Sequence, residues 1–307
     1  MKQSIKHTIA GLALAIASGP AFAASMSLDN TFALDNLLAY PDSNFHPQGL
    51  GYDTGSNELL FMQQSSRTIY RTDLSGNING SLAPAPVQFR PGSAGTSTLN
   101  YTTSVAGDGT NYYFSDYTNN TVGYDLYSAD KTTGTGGAIS SEVAGYGGYP
   151  IDVRDGKLYR TQASTGYNWT NLNQIRISSI ATPDSITQTL TLTGSNGIGD
   201  IAVDSANNNV WTIDYTAGAS VRRFDLSTGA LLDTFALGLD GLTGGITYAD
   251  NKLYYYDWND GSGSTLSVYS LSGIAAVPVP ASLPLLAGAL GIFGFVGARR
   301  QRKSKQA

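Results

Sequence analysis

The 307-residue chain contains no cysteine and only two histidines. Without cysteine there can be no disulfide, no thiolate nucleophile, no Cys-ligated zinc and no iron–sulfur cluster, and two imidazoles leave little scope for histidine chemistry. Charge is scarce as well, at 13% of residues, and its formal sum is only −5. In their place are 36 glycines and 19 tyrosines within a 41% hydrophobic composition, enough apolar material to bury a core and to exclude wholesale disorder.

The two ends differ from the rest. Residues 1–23 carry Lys2 and Lys6, then the uncharged run Ile9–Ala17, then Gly19-Pro20 and the small-x-small pattern Ala21-Phe22-Ala23. That order predicts an export signal cleaved after Ala23 by signal peptidase, since the apolar stretch is well short of the ~20 residues that span a bilayer. At the other end, Val277–Ala298 is free of charge and is followed by Arg299, Arg300, Arg302, Lys303 and Lys305. A run of that length predicts a transmembrane helix whose basic end stays cytoplasmic. These segments hold seven of the 18 basic residues and none of the 23 acidic ones, so the body between them has eleven cations against 23 anions, a net −12. Such a surface repels nucleic acid, and leaves cations, neutral glycans and proteins as partners.

The C-terminal residues carry a family signal. Val277-Pro278-Val279-Pro280-Ala281, the apolar glycine-rich stretch through Gly297 and the cluster from Arg299 and Arg300 to Lys303 resemble the PEP-CTERM type of sorting domain in its VPLPA variety, with Val279 where the commonest variants carry Glu or Leu. The resemblance implies a Gram-negative bacterium that makes exopolysaccharide. It also implies transient anchoring in the inner membrane, removal of the tail by an exosortase near the proline motif, and delivery to the cell surface or matrix. The expected organisation is a signal peptide (1–23), a body (24–275) and a sorting signal (276–307).

The body repeats itself. Related segments start at Gly49, Ser104, Pro150, Asp200 and Gly245, each with a first strand holding Leu50, Val105, Ile151, Ile201 or Ile246, then a turn rich in Asp, Gly and Asn. An apolar, aromatic second strand follows (Leu59–Met62, Tyr112–Phe114, Leu158-Tyr159, Val210–Ile213, Leu253–Tyr256), and third strands leave through Asp73-Leu74-Ser75-Gly76 or its counterparts at Asp125, Asp225 and Ser270. Fourth strands are faint, at Ala230–Leu237 and Ile186–Leu192. Repeats of this length and strand content predict an all-β fold, a β-propeller with five blades counted. A sixth blade would have to come from Pro84–Asn100, and Asn30–Leu38 is expected to complete the last unit and close the ring. The unit pattern is similar to NHL, gluconolactonase and surface-lactonase propellers at the level of repeat consensus.

Function is sought in departures from the repeat. Asp152 occupies a first-strand position filled elsewhere by Gly51, Ala106, Ala202 and Thr247, and Asp200 one filled by Gly49, Ser104, Pro150 and Gly245. The two positions are two apart and face the same side of a strand, so both carboxylates are expected near the axis. One reading is a cation site, Ca²⁺ being the candidate, with His46, Gln48 and Asn259 as further ligands; the other is that each carboxylate binds a neighbouring backbone amide. The recurrent Asp116, Asp214 and Asp257 at second-strand ends suit a structural role. Tyr117, Tyr167, Trp169, Tyr215 and Trp258 fall in connections assigned to one face, where rings beside Asn and Asp suit either sugar stacking or packing between units.

Enzyme motifs are missing: the chain has no G-x-S-x-G, no H-E-x-x-H and no phosphate-cradling glycine loop, and beyond the export signal His46 is the sole histidine. Two functions stand, a non-catalytic propeller that binds glycan or protein, and a metal-dependent, lactonase-like hydrolase using Asp152 and Asp200.

Overall fold

A computed structural model describes residues 24–34, 47–63, 68–82, 102–116, 126–140, 150–161, 173–195, 197–214, 220–237, 244–259 and 263–273. The export signal with Ala21 and Ala23, the span 83–101 and the whole C-terminal segment, including Val277–Ala281, Arg299 and Arg300, lie outside them. Among the described residues there is no helix, and hence none long and apolar enough to cross a membrane.

Twenty strands form five antiparallel four-stranded units among the described residues. The first unit is β2 (Pro47–Asp53), β3 (Glu58–Gln63), β4 (Ile69–Thr72) and β5 (Ile78–Leu82). The second is β6 (Thr102–Gly107), β7 (Asn111–Asp116), β8 (Leu126–Asp130) and β9 (Gly136–Ala138). The third is β10 (Ile151–Arg154), β11 (Lys157–Thr161), β12 (Gln174–Ser179) and β13 (Thr182–Thr191). The fourth is β14 (Ile198–Asp204), β15 (Asn209–Asp214), β16 (Ser220–Asp225) and β17 (Leu231–Ala236). The fifth takes β18 (Gly244–Ala249), β19 (Lys252–Asn259) and β20 (Gly263–Ser272), and borrows its outer strand from the start of the chain, β1 (Ser25–Ala33).

The first strands neighbour one another in a closed series, β2 beside β6, β6 beside β10, β10 beside β14, β14 beside β18, and β18 beside β2. Five hydrophobic clusters fill the five spaces between units. Leu60, Met62 and Ile69 meet Val105, Tyr112 and Phe114 across the first space, and Leu59, Phe61 and Leu50 meet Tyr254, Tyr256 and Leu266 across the last. Alternation explains the continuous apolar run Leu59-Leu60-Phe61-Met62: successive side chains point to opposite faces, and here both faces are covered by a neighbouring unit. The arrangement is propeller-like, and all-β as the strand pattern predicts.

Local chemistry sets the turns. Asp155-Gly156 and Asp250-Asn251 are two-residue hairpin turns with both residues in the left-handed region, a conformation Gly, Asn and Asp accept most readily. The recurrent exit of the third strand is an aspartate whose carboxylate accepts backbone N–H bonds from the turn that follows: Asp73 from Ser75 and Asn77, Asp130 from Thr132 and Thr133, Asp225 from Ser227 and Thr228.

Three boundaries differ from the sequence expectation, one of them in the second unit, where the third strand runs Leu126–Asp130 and leaves through Asp130, whose carboxylate holds the turn, so that Asp125, expected at the exit, precedes the strand. The closing strand is Ser25–Ala33 rather than Asn30–Leu38, because its first half lies largely exposed on the rim and carries no apolar pattern; a bulge between Leu28 and Asn30 turns Asp29 toward Lys252 and Ser270. The outer strand of the third unit is Thr182–Thr191, starting earlier than Ile186 because its polar residues lie exposed on the rim and carry no apolar pattern. The segment Pro84–Asn100 lies outside the described residues.

The first strands approach closely enough that glycine is required. A Cβ on Gly51 would lie 1.8 Å from the Val105 carbonyl oxygen, whereas one on Gly137 would meet nothing within 4 Å. Gly51→Ala is therefore expected to lower the unfolding free energy by about 3 kcal/mol, and Gly137→Ala to change it by less than about 0.5 kcal/mol, as read from urea unfolding midpoints.

Candidate functional site

The axis of the ring is where the two exceptional carboxylates sit. Asp152 and Asp200 are both buried, and each spends its oxygens on backbone amides. Asp152 accepts from its own neighbour Val153 (2.7 Å) and, across the gap to the fourth unit, from Val203 (2.7 Å). Asp200 accepts from Ile201 (2.9 Å) and, in the fifth unit, from Ile246 (2.8 Å), and the Leu50 amide of the first unit also bonds to it. Ser104 does the same work between the second and third units, its Oγ accepting from the Ile151 amide at 3.0 Å.

The physical cause lies in the sheet edges. One edge of each first strand pairs with the second strand; apart from a single parallel bridge between Asp53 of β2 and Gly107 of β6, which joins the first two units into one sheet, the other edge has no ladder to join, leaving buried N–H groups that must find acceptors. Short polar side chains on the neighbouring first strand supply them, in the order Ser104, Asp152, Asp200 around the ring.

Arg154 completes the column. It follows Asp152 by two positions on β10, so it emerges on the same side, and its Nε lies 3.2 Å from the Asp152 carboxylate. Its Nη2 donates to the Tyr248 carbonyl of the fifth unit at 2.7 Å, and its guanidinium lies 4.8 Å from the centre of the Tyr52 ring of the first. Neither unit is adjacent to the third, so Arg154 crosses the axis and closes it at the end that carries the short Asp155-Gly156 and Asp250-Asn251 turns. Arg154 and Ser104 escape a search for departures from the repeat; extending the two-residue spacing from Asp152 would have found the arginine.

Electrostatics follow from this burial. Removal from water pushes the Asp152 carboxyl up, against the opposing pull of Arg154 and the Val203 and Val153 amides. Asp200 is pushed well above the ordinary carboxylate range by the same loss of water, against three backbone N–H bonds and with the Asp152 charge adding to the rise. Among the described residues no ion pair gives Asp200 a cation.

The other sequence candidates are distributed as follows. Asp214 is buried, accepts a hydrogen bond from Ser195 Oγ (3.1 Å) and pairs with Arg222 (2.8 Å). Gln48 lies on β2, and Trp258 and Asn259 end β19, opposite Ser264 and Gly263, but their side chains lie outside the described residues, as do those of Asp116 and Asp257. His46, Tyr117, Tyr167, Trp169 and Tyr215 lie wholly outside them. The second strands end, and the first and third strands begin, at the end of the ring opposite the Arg154 closure. Among the described residues no group of three or more His, Asp or Glu side chains is placed to hold a metal ion.

Two outcomes test the axis. Arg154→Met leaves the buried Asp152 without its cation and is expected to cost about 3 kcal/mol near neutral pH, and less at acidic pH, where the Asp152 carboxyl, pushed up by burial, takes up a proton. Asp200 is raised in the folded state, so its contribution is full below the unfolded carboxylate value of about 3.9 and is lost as pH rises through the folded value. The stability gap between the wild type and Asp200→Ala should therefore narrow from about pH 4 upward, measured by urea unfolding across that range.

No protein-family model matches the chain, and no curated protein does. Among solved structures the chain is similar to a chain of a nidogen/laminin complex, at 17% identity and a TM-score of 0.45, over 69% of this chain and 72% of that one. It is similar also to a chain of the hydrazine synthase of Kuenenia stuttgartiensis, at 13% identity and a TM-score of 0.42, over 73% of this chain and 62% of that one.

Proposed function

We propose that the body is a five-bladed β-propeller, exported and processed by an exosortase, that works at the cell surface or in the extracellular matrix of a Gram-negative bacterium by binding glycan or protein without catalysis. The sorting part of this reading rests on the order of proline motif (Val277–Ala281), apolar run and basic cluster from Arg299. The binding part rests on one observation: Asp152 and Asp200, the carboxylates that a hydrolase would need as metal ligands, hold the backbone amides of Val203, Ile246 and Leu50.

Binding then belongs to the end opposite Arg154. The second strands end there, Tyr117, Tyr167, Trp169 and Tyr215 follow those ends in the sequence, and Trp258 lies near the end of β19. Loops on a rigid scaffold are the usual seat of recognition, and flat rings beside amide side chains suit neutral sugars. The acidic body adds selectivity by disfavouring anionic polymers.

Calorimetric titration of the purified body with Ca²⁺, alongside a lactone and ester turnover screen with divalent ions, is expected to give neither binding heat nor turnover; metal-dependent turnover abolished in Asp152→Ala would overturn the non-catalytic reading. Deleting Val277–Ala307 is expected to abolish surface retention and send the body into the medium. Unchanged localisation of the truncated chain would refute the sorting assignment.

A further inference from the structure

Both ends of the body leave it at one point on the rim. Ser25 opens β1 and pairs with Ser272 at the close of β20, their hydroxyls 2.6 Å apart. Ala23 precedes this pair by two residues and Val277 follows it by five. A fully extended chain covers at most about 3.6 Å per residue, so the uncharged run begins within roughly 18 Å of that corner, less than the length of one rim strand.

The surface around the corner is unusual for so acidic a body. The corner borders the seam between the fourth and fifth units, whose buried cluster is covered by Met26 and Leu271 from the fifth unit and by Phe235 and Leu237 from the fourth. On the two outer strands that flank the seam, Leu28 of β1 is 56% exposed, and Leu231 and Leu232 of β17 are 42% and 36% exposed. The carboxylates on these strands are both neutralised, Asp29 by Lys252 at 3.0 Å and Asp233 by Arg223. Elsewhere among the described residues the exposed large hydrophobics stand singly, Ile78 on β5 and Ile186 on β13, so the apolar, charge-compensated strip beside the exit is where they gather, on a body whose net negative charge an anionic bilayer repels.

We propose that this strip, the outer faces of β1 and β17, rests against the lipid bilayer while the segment 277–298 spans it, so that the ring stands on its edge. The inference rests on the sorting reading above. Edge-on, the end opposite Arg154 faces sideways into solvent and stays open to a partner before the tail is removed. The short link forces the seam toward the lipid, and the exposed leucines make that contact favourable by burial of apolar surface.

The absence of cysteine permits single-site labelling. The full chain would be reconstituted in vesicles of phosphatidylethanolamine and phosphatidylglycerol containing a headgroup quencher. One fluorophore each would be attached at Thr234→Cys on β17, Gly137→Cys on the opposite rim, Thr54→Cys at the short-turn end and Asn173→Cys at the other end. Quenching at position 234 is expected to exceed that at the other three at least threefold, and to fall toward theirs when Leu28, Leu231 and Leu232 are all changed to Asp. Equal quenching, or strongest quenching at 54, 137 or 173, would overturn the edge-on arrangement while leaving membrane attachment intact. A full chain that fails to float with the vesicles would overturn both the arrangement and the sorting reading. Sedimentation of the body lacking 277–307 as a dimer that the triple aspartate variant dissolves would show the strip to be covered by a second copy, and would also overturn the proposal.

Discussion

Every first strand in this ring has one edge that its own unit cannot satisfy. The described first strands converge on the axis with buried amides, and those the β2–β6 bridge does not take up need an acceptor from a neighbouring unit. Ser104, Asp152 and Asp200 answer that need in turn around the ring. The same crowding explains why the remaining axial positions are small: Gly51 and Gly245 lie so close to the next strand that a single added carbon would collide with backbone. Carboxylates near an axis are therefore the price of a tight ring, and Arg154 follows from them, as the cation that makes a buried Asp152 tolerable.

This constraint separates what could be read from residues and what could not. The first and second strands were legible because they are buried on both faces, which writes an uninterrupted apolar pattern such as Leu59–Met62 or Leu253–Tyr256. The outer strands were not, because exposure on the rim frees their composition: β13 is nearly all polar and β1 nearly all exposed. The bulge at Asp29 turns its carboxylate toward Lys252 in a way no periodicity could announce. At the axis, the placement of Asp152 and Asp200 on one side followed from a two-residue spacing, yet their hydrogen-bond partners belong to units 46 and 51 residues away and carry no local signature.

The turns show how the acidic residues are used. Asp73, Asp130 and Asp225 are organisers of their own loops, and Asp53 joins the first unit to the second through Lys131 at 2.6 Å. Burial pushes Asp53 up, but the bonds from Lys131, Ser56 and the Gly55 amide outweigh it and hold the carboxyl low. Much of the negative charge is thus structural, and composition alone overstates what is free to attract a cationic ligand.

The pairing of β1 with β20 joins the first described strand to the last, the most sequence-distant contact the ring contains. Until β20 has been made, β1 has nowhere to dock, and the fifth unit lacks its outer layer. Closure thus waits on the end of the chain, and the same seam, held by one largely exposed strand, is the natural place for unfolding to begin.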